Sequence, residues 1–265
     1  GQPEDAREIL QEAVSLRLEP RNEITLALAG LYVESGSYVE AQPLLEELLM
    51  REIEKEPEVR YRLSFVYYQR GRTQEALELI EETFSQGLAG GQTARLLRLR
   101  SRALRDLGRY REALQAIREY VTLEPGDGGG RFEYLTLLFR LGEYQRLLEE
   151  LEAPGAEIPG ADAEYLRGLA QVGLGRYQDA VNTLSGLEGS ETLEPYRVYY
   201  LAWAQYRLGR NREALESFDR ISGERTSPFA AKAAYLGGWS AYVLGSYERA
   251  ADLLRRVSSF DTTME

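Results

Sequence analysis

Gly108-Arg-Tyr-Arg-Glu-Ala113 is the stretch that decides how this chain folds, because near-copies of it run from one end to the other. They are Gly36-Ser-Tyr-Val-Glu-Ala41, Gly71-Arg-Thr-Gln-Glu-Ala76, Gly142-Glu-Tyr-Gln-Arg-Leu147, Gly175-Arg-Tyr-Gln-Asp-Ala180, Gly209-Arg-Asn-Arg-Glu-Ala214 and Gly245-Ser-Tyr-Glu-Arg-Ala250. Successive glycines stand 35, 37, 34, 33, 34 and 36 residues apart. A period of that length marks stacked supersecondary units instead of one globular core.

Packing explains each unit. Ahead of Gly108, Leu96, Leu97, Leu99, Ala103, Leu104 and Leu107 fall at helical spacing, which predicts an amphipathic first helix. The glycine ends it, since a residue without Cβ takes the left-handed conformation that closes a helix. Five residues on, alanine opens the buried face of a second helix and allows close approach, with a large apolar residue four positions later, as in Ala113/Ile117 and Ala214/Phe218. Leu-Glu-Pro at 18–20, 123–125 and 193–195 is expected to close second helices, because proline cannot continue one.

A helix pair of about 34 residues with a Gly-x-Tyr-x-x-Ala core resembles the tetratricopeptide repeat family. The resemblance covers nearly the whole chain and implies an all-α fold, a right-handed α-solenoid of stacked antiparallel helix pairs. The small residue of the first helix aligns with Ala29, Ser64, Ser101, Leu135, Gly168, Ala202 and Gly238. Leu135 and Leu147 depart from the pattern, so looser or distorted packing is expected between residues 128 and 152. The expected organisation is a partial leading repeat, a second helix only, at 1–20; repeats one to three at 22–127; an irregular fourth at 128–160; and repeats five to seven at 161–265.

Composition narrows the function. The net charge of −11, with 28% charged residues, disfavours general binding to nucleic acid or anionic membrane. No apolar run is long enough to span a bilayer, and the start carries no signal-like segment, although Gly1 is compatible with earlier removal of one. Cysteine and histidine are both absent, which excludes disulfides, the usual zinc sites, cysteine nucleophiles and serine–histidine triads. No residue set points to a cofactor or a metal, and the abundant carboxylates fall on exposed helix faces as solvated charge. The expectation is a protein that is not an enzyme.

Residues 3–19 read as a lone helix with Ala6, Leu10, Ala13 and Leu16 on one face, closed by Pro20. The last helix is expected to run to about Ser258, and Phe-Asp-Thr-Thr-Met-Glu offers no further one. A solenoid needs polar caps over its end faces, so the reading is a segment of a longer protein, or an end covered by a partner or a second copy. Glycine-rich linkers at 86–92 and 125–130, with Ala-Pro-Gly-Ala-Glu-Ile-Pro-Gly at 153–160, flank repeats three and four. They form either a hinge near Asp127 or long turns without freedom.

The resemblance implies a concave groove lined by the first helix of each pair, at its second, fifth, ninth and twelfth positions, and the family's usual work is holding peptides or protein segments there. In the third repeat these positions are Arg95, Arg98, Arg102 and Arg105, four guanidinium groups on one face. Arginine's planar fork suits carboxylates. Two readings stay open, a site for acidic ligand groups or neutralisation within the fold by neighbouring acids such as Glu58 or Glu133. Arg98 and Arg102 resemble the basic positions with which some relatives hold the carboxylate end of a chaperone tail; Leu26 and Gly30 do not match the rest of that clamp.

Aromatic residues fill the same positions elsewhere: Tyr61, Phe65 and Tyr68 in the second repeat, Phe132 and Phe139 in the fourth, Tyr196, Tyr199, Trp203 and Tyr206 in the sixth, Tyr235, Trp239 and Tyr242 in the seventh. Tyrosine and tryptophan combine contact area with a polar handle and are favoured at binding hot spots, although the same rings also pack between repeats. The expected function is a non-catalytic scaffold for protein–protein interaction that binds a peptide or protein segment with acidic and aromatic or apolar groups. The alternatives are an oligomerisation module acting through open solenoid ends, or an aromatic groove for a sugar or small molecule. Arginine bias and the lack of cysteine lean towards a bacterial periplasmic or cytoplasmic protein.

Overall fold

All seven repeated glycines close a helix by the same backbone device. In the computed structural model their φ angles lie between 73° and 77°. At Gly36 the glycine N–H donates to the Val33 carbonyl (3.2 Å) and the following Ser37 N–H donates to the Tyr32 carbonyl (2.8 Å). The same pair of bonds recurs after every motif glycine, for example Arg109 N–H to Leu104 and Gly108 N–H to Arg105. These bonds satisfy carbonyls that the helix end would leave orphaned. The second helix then starts two residues after the glycine, so the motif sets both boundaries of the turn.

The structure describes residues 2–51, 56–87, 89–153, 158, 160–187, 194–224 and 226–260. The final five residues, Asp261 to Glu265, and most of the linker at 153–160 therefore lie outside the described residues. The chain divides into two compact units, residues 1–130 and 131–265. The first holds α1 (Gln2–Ser15), α2 (Arg21–Glu34), α3 (Tyr38–Leu49), α4 (Glu56–Gln69), α5 (Thr73–Ser85), α6 (Thr93–Asp106) and α7 (Tyr110–Leu123). The boundary falls in the first turn of α8 (Gly128–Arg140). The second unit continues with α9 (Tyr144–Glu152), α10 (Gly160–Gly173), α11 (Tyr177–Ser185), α12 (Glu194–Arg207), α13 (Asn211–Gly223), α14 (Ala230–Val243) and α15 (Tyr247–Val257).

Inside each unit consecutive helices pack on each other, and alternate ones also touch: α2 with α4, α4 with α6, α10 with α12, α13 with α15. This nearest-neighbour stacking of helix pairs is the solenoid arrangement. The core follows the motif alanines. Ala41, Ala76, Ala113, Ala180 and Ala214 are completely buried, as are Leu45, Ile80, Ile117, Leu184 and Phe218 four residues later. A Cβ on Gly168 would lie 2.4 Å from Leu184 Cδ2, and one on Gly238 2.7 Å from Leu254 Cγ, so glycine at the small position permits close helix contact there.

Two expectations need correction. The leading helix stops at Ser15, so Leu16 lies beyond it and is exposed; Arg17 takes the left-handed conformation there (φ 56°), and Leu10 and Val14 are the residues that pack on the core. Only the proline of 123–125 follows directly on a second helix. Pro20 instead precedes α2, and Pro195 lies in the first turn of α12, where a missing N–H costs nothing. The linker at 125–130 is anchored, because Asp127 accepts bonds from Arg98 Nη1 (2.6 Å), the Tyr120 hydroxyl (2.5 Å) and the Gly129 amide (3.0 Å). Around the fourth repeat, Leu135 and Leu147 are both fully buried.

Candidate functional site

The four arginines of α6 occupy one face as their spacing requires, but their described contacts are largely internal. Arg98 is paired with Asp127 and lies 5.4 Å from the Tyr120 ring centre. Arg105 pairs with Asp106 at 3.0 Å. Asp106 also accepts a 2.6 Å bond from the Tyr68 hydroxyl on α4, and burial together with this bond raises the Tyr68 pKa. Arg95 lies over the Tyr61 ring (5.7 Å) and reaches Gln92 Oε1 at 3.4 Å. Glu58, expected as a neutralising acid, is bonded instead to Arg62 four residues along its own helix (2.7 Å). The Tyr120 hydrogen bond, and next the Arg98 charge, hold Asp127 below the usual carboxylate range. Tyr61, Phe65 and Tyr68 pack against Ile80, Ala89, Leu96 and Leu99.

In the second unit the aromatic side chains line an open cleft. Tyr199 on α12 is buried and stacks on Phe229, which precedes α14, with centroids 4.3 Å apart and planes 10° from parallel. Tyr200 meets Phe139 of α8 edge-on at 5.8 Å, and Phe139 meets Tyr144 of α9 at 5.6 Å. Trp203 stands 6.3 Å from Tyr199. Together with Tyr177 of α11 these rings line a cavity of about 500 Å³, a volume within the range of small-ligand and side-chain pockets. Gly173, at the end of α10, completes the wall: a Cβ there would lie 2.5 Å from Tyr144 Cε2. Burial raises the Tyr199 and Tyr200 pKa values, so both hydroxyls stay protonated at neutral pH.

Two cations complete the lining, Arg207 in the last turn of α12 and Lys232 in the first turn of α14. Among the described residues neither forms an ion pair and no acidic side chain lines the cavity. Arg207 is held by a ring, its Cζ lying 4.7 Å from the centre of Tyr177. A guanidinium placed by an aromatic face keeps its N–H donors for something else.

The last repeat presents a different surface. Tyr235, Trp239, Tyr242 and Tyr247 form an edge-to-face row with centroid spacings of 6.3, 5.8 and 5.7 Å. All four are exposed, Tyr242 by 55% and Tyr247 by 66%. Tyr196 is also exposed, while packing edge-on against Phe229; Tyr206 packs with the core of α12 to α14.

Family models described as tetratricopeptide repeats match residues 34–89, 98–153 and 199–260, well over half of the chain between them. The chain belongs to the tetratricopeptide repeat family. Solved structures share the repeat fold. A tetratricopeptide repeat protein from Parabacteroides merdae is 17% identical, with 92% of this chain and 94% of that one covered and a TM-score of 0.68. The C-terminal part of a repeat protein from Cytophaga hutchinsonii is 14% identical (89% and 95% covered, TM-score 0.61). PilW, a type IV pilus biogenesis factor, is 16% identical (78% and 94% covered, TM-score 0.60). No curated protein matches the sequence.

Of the sequence-derived groove residues, the cavity brings together Tyr199 and Trp203 with Phe139, and leaves the α14 aromatics outside. Sequence reasoning missed Tyr144, Tyr177, Tyr200, Phe229, Arg207 and Lys232. A usable signal existed for two of them, since Tyr144 and Tyr177 are the motif tyrosines two residues after the repeat glycine. The first-repeat equivalent, Tyr38, likewise packs on Phe65 in the next repeat (6.1 Å). Lys232 stands at the second position of its repeat, the first of the four groove positions.

Proposed function

We propose that this tetratricopeptide repeat protein is a non-catalytic interaction scaffold that holds a peptide segment of a partner protein in the aromatic cavity between α8 and α14. The supporting observation is the cavity itself, with rings from successive repeats arranged around about 500 Å³ of open space. Such rings offer a large apolar contact at low entropic cost, the profile of a binding hot spot. The arginine face of α6 is a weaker candidate, because Arg98 and Arg105 already have acidic partners.

Selection of a random peptide library on the immobilised chain tests this reading. Peptides should be enriched that bind the chain but lose at least tenfold in affinity for Trp203→Ala and for Tyr177→Ala, after circular dichroism has established that both variants fold. Enriched peptides indifferent to both substitutions would refute it.

A second reading, self-association, is favoured by the exposed row from Tyr235 to Tyr247. It predicts a mass by light scattering that rises with concentration in the parent chain and stays constant in Trp239→Ser.

A further inference from the structure

The cavity carries chemical information beyond its apolar lining. An acidic chain of net charge −11 places two cations that form no ion pair among the described residues, Arg207 and Lys232, at an aromatic cavity whose described lining holds no carboxylate. Most arginines with described contacts on this chain pair with an acid close by, as Arg197 does with Glu194 (2.7 Å) and Arg167 with Glu164 (3.2 Å). Arg207 is fixed by the Tyr177 ring instead, which orients the guanidinium without consuming its donors. Charge complementarity therefore asks for an anion, and the rings ask for an aromatic or large apolar group beside it.

We infer that the segment bound in this cavity presents an aromatic side chain flanked by acidic residues, with Arg207 and Lys232 receiving the carboxylates and the rings around Trp203 receiving the aromatic group. The inference rests on the peptide-binding reading above and names the partner chemistry. The overall negative charge does not oppose it: beyond about 10 Å, exposed charges are screened at 0.1 M salt, whereas a carboxylate in contact with a guanidinium is not. Arginine's fork also favours carboxylate over a neutral amide of the same shape.

Isothermal titration of the full chain with blocked heptapeptides decides the matter. The probes are an Asp-Phe-Asp core in a Gly/Ser frame, the Asn-Phe-Asn and Asp-Ala-Asp equivalents, and N-acetylphenylalanine. The Asp-Phe-Asp peptide is expected to bind at least tenfold more tightly than either other peptide. Its advantage over Asn-Phe-Asn should vanish in Arg207→Gln/Lys232→Gln, whose substituted side chains are both exposed. Equal binding of the Asp and Asn peptides, or an advantage that survives the double substitution, overturns the acidic assignment while leaving the groove reading intact. Equal binding of Asp-Ala-Asp overturns the aromatic assignment. N-acetylphenylalanine binding as tightly as the heptapeptide makes this a small-molecule site and overturns both. If no phenylalanine peptide binds at all, the aromatic and acidic assignments both fall, and the peptide-groove reading is judged by the library selection alone.

Discussion

At the residue scale the fold depends on a conformation that one amino acid reaches without strain. Gly108 has φ 75°, and a Cβ placed on it would meet nothing within 4 Å, so substitution there strains the backbone alone. Gly108→Ala is expected to lower stability by about 1–2 kcal/mol in urea unfolding, and Gly108→Asn by less, since asparagine tolerates the left-handed region. Equal losses for the two would point to packing instead. Asp127 supplies a pH-dependent contribution. Its folded pKa is depressed, so its stabilisation is present above the unfolded value of about 3.9 and is lost as pH falls through the lower folded value. The stability gap between the parent and Asp127→Asn should therefore close on acidification below about pH 4. The glycine's role was legible because its pattern repeats; that of Asp127 was not, because it lies in a linker and meets Arg98 29 residues away.

At the element scale each helix pair must fill the same space with different side chains. The fourth repeat puts leucine at both small positions and still buries them, and a polar network joins its helices. Tyr134, 1% exposed, donates to Glu150 (2.8 Å) and accepts from Arg146 (2.9 Å), while Arg131 reaches the same glutamate at 3.1 Å. Tyr134→Phe should cost about 1–3 kcal/mol by leaving Arg146 and Glu150 short of a partner. Gly168→Ala should cost a similar amount for a different reason, the clash of the new methyl with Leu184. A neutral outcome at either site, measured by thermal unfolding, would contradict the packing described here. Helix periodicity was readable throughout. The role of proline was not, because Leu-Glu-Pro can end one helix or begin the next, and only the length of the intervening turn decides.

At the scale of the whole molecule, repetition made the all-α repeat architecture and the family legible, while the site depends on what the repeats do not share. Alignment to the glycine found Tyr199 and Trp203 but passed over Tyr144 and Tyr177, whose rings reach the cavity from second helices. The acidic net charge predicts that the chain passes through a heparin column unretained at about 0.1 M salt. The most direct measurement of the central claim is fluorescence titration of Trp239→Phe, which leaves Trp203 as the sole tryptophan, with a peptide selected on the parent chain. Saturable quenching or a spectral shift of Trp203, absent in the same protein carrying Gly173→Ala, is the predicted result, because the added methyl displaces the Tyr144 ring at the cavity wall. An unchanged Trp203 spectrum, with a response only from Trp239 in the Trp203→Phe protein, would move the binding surface to the exposed aromatic row of α14 and contradict the account.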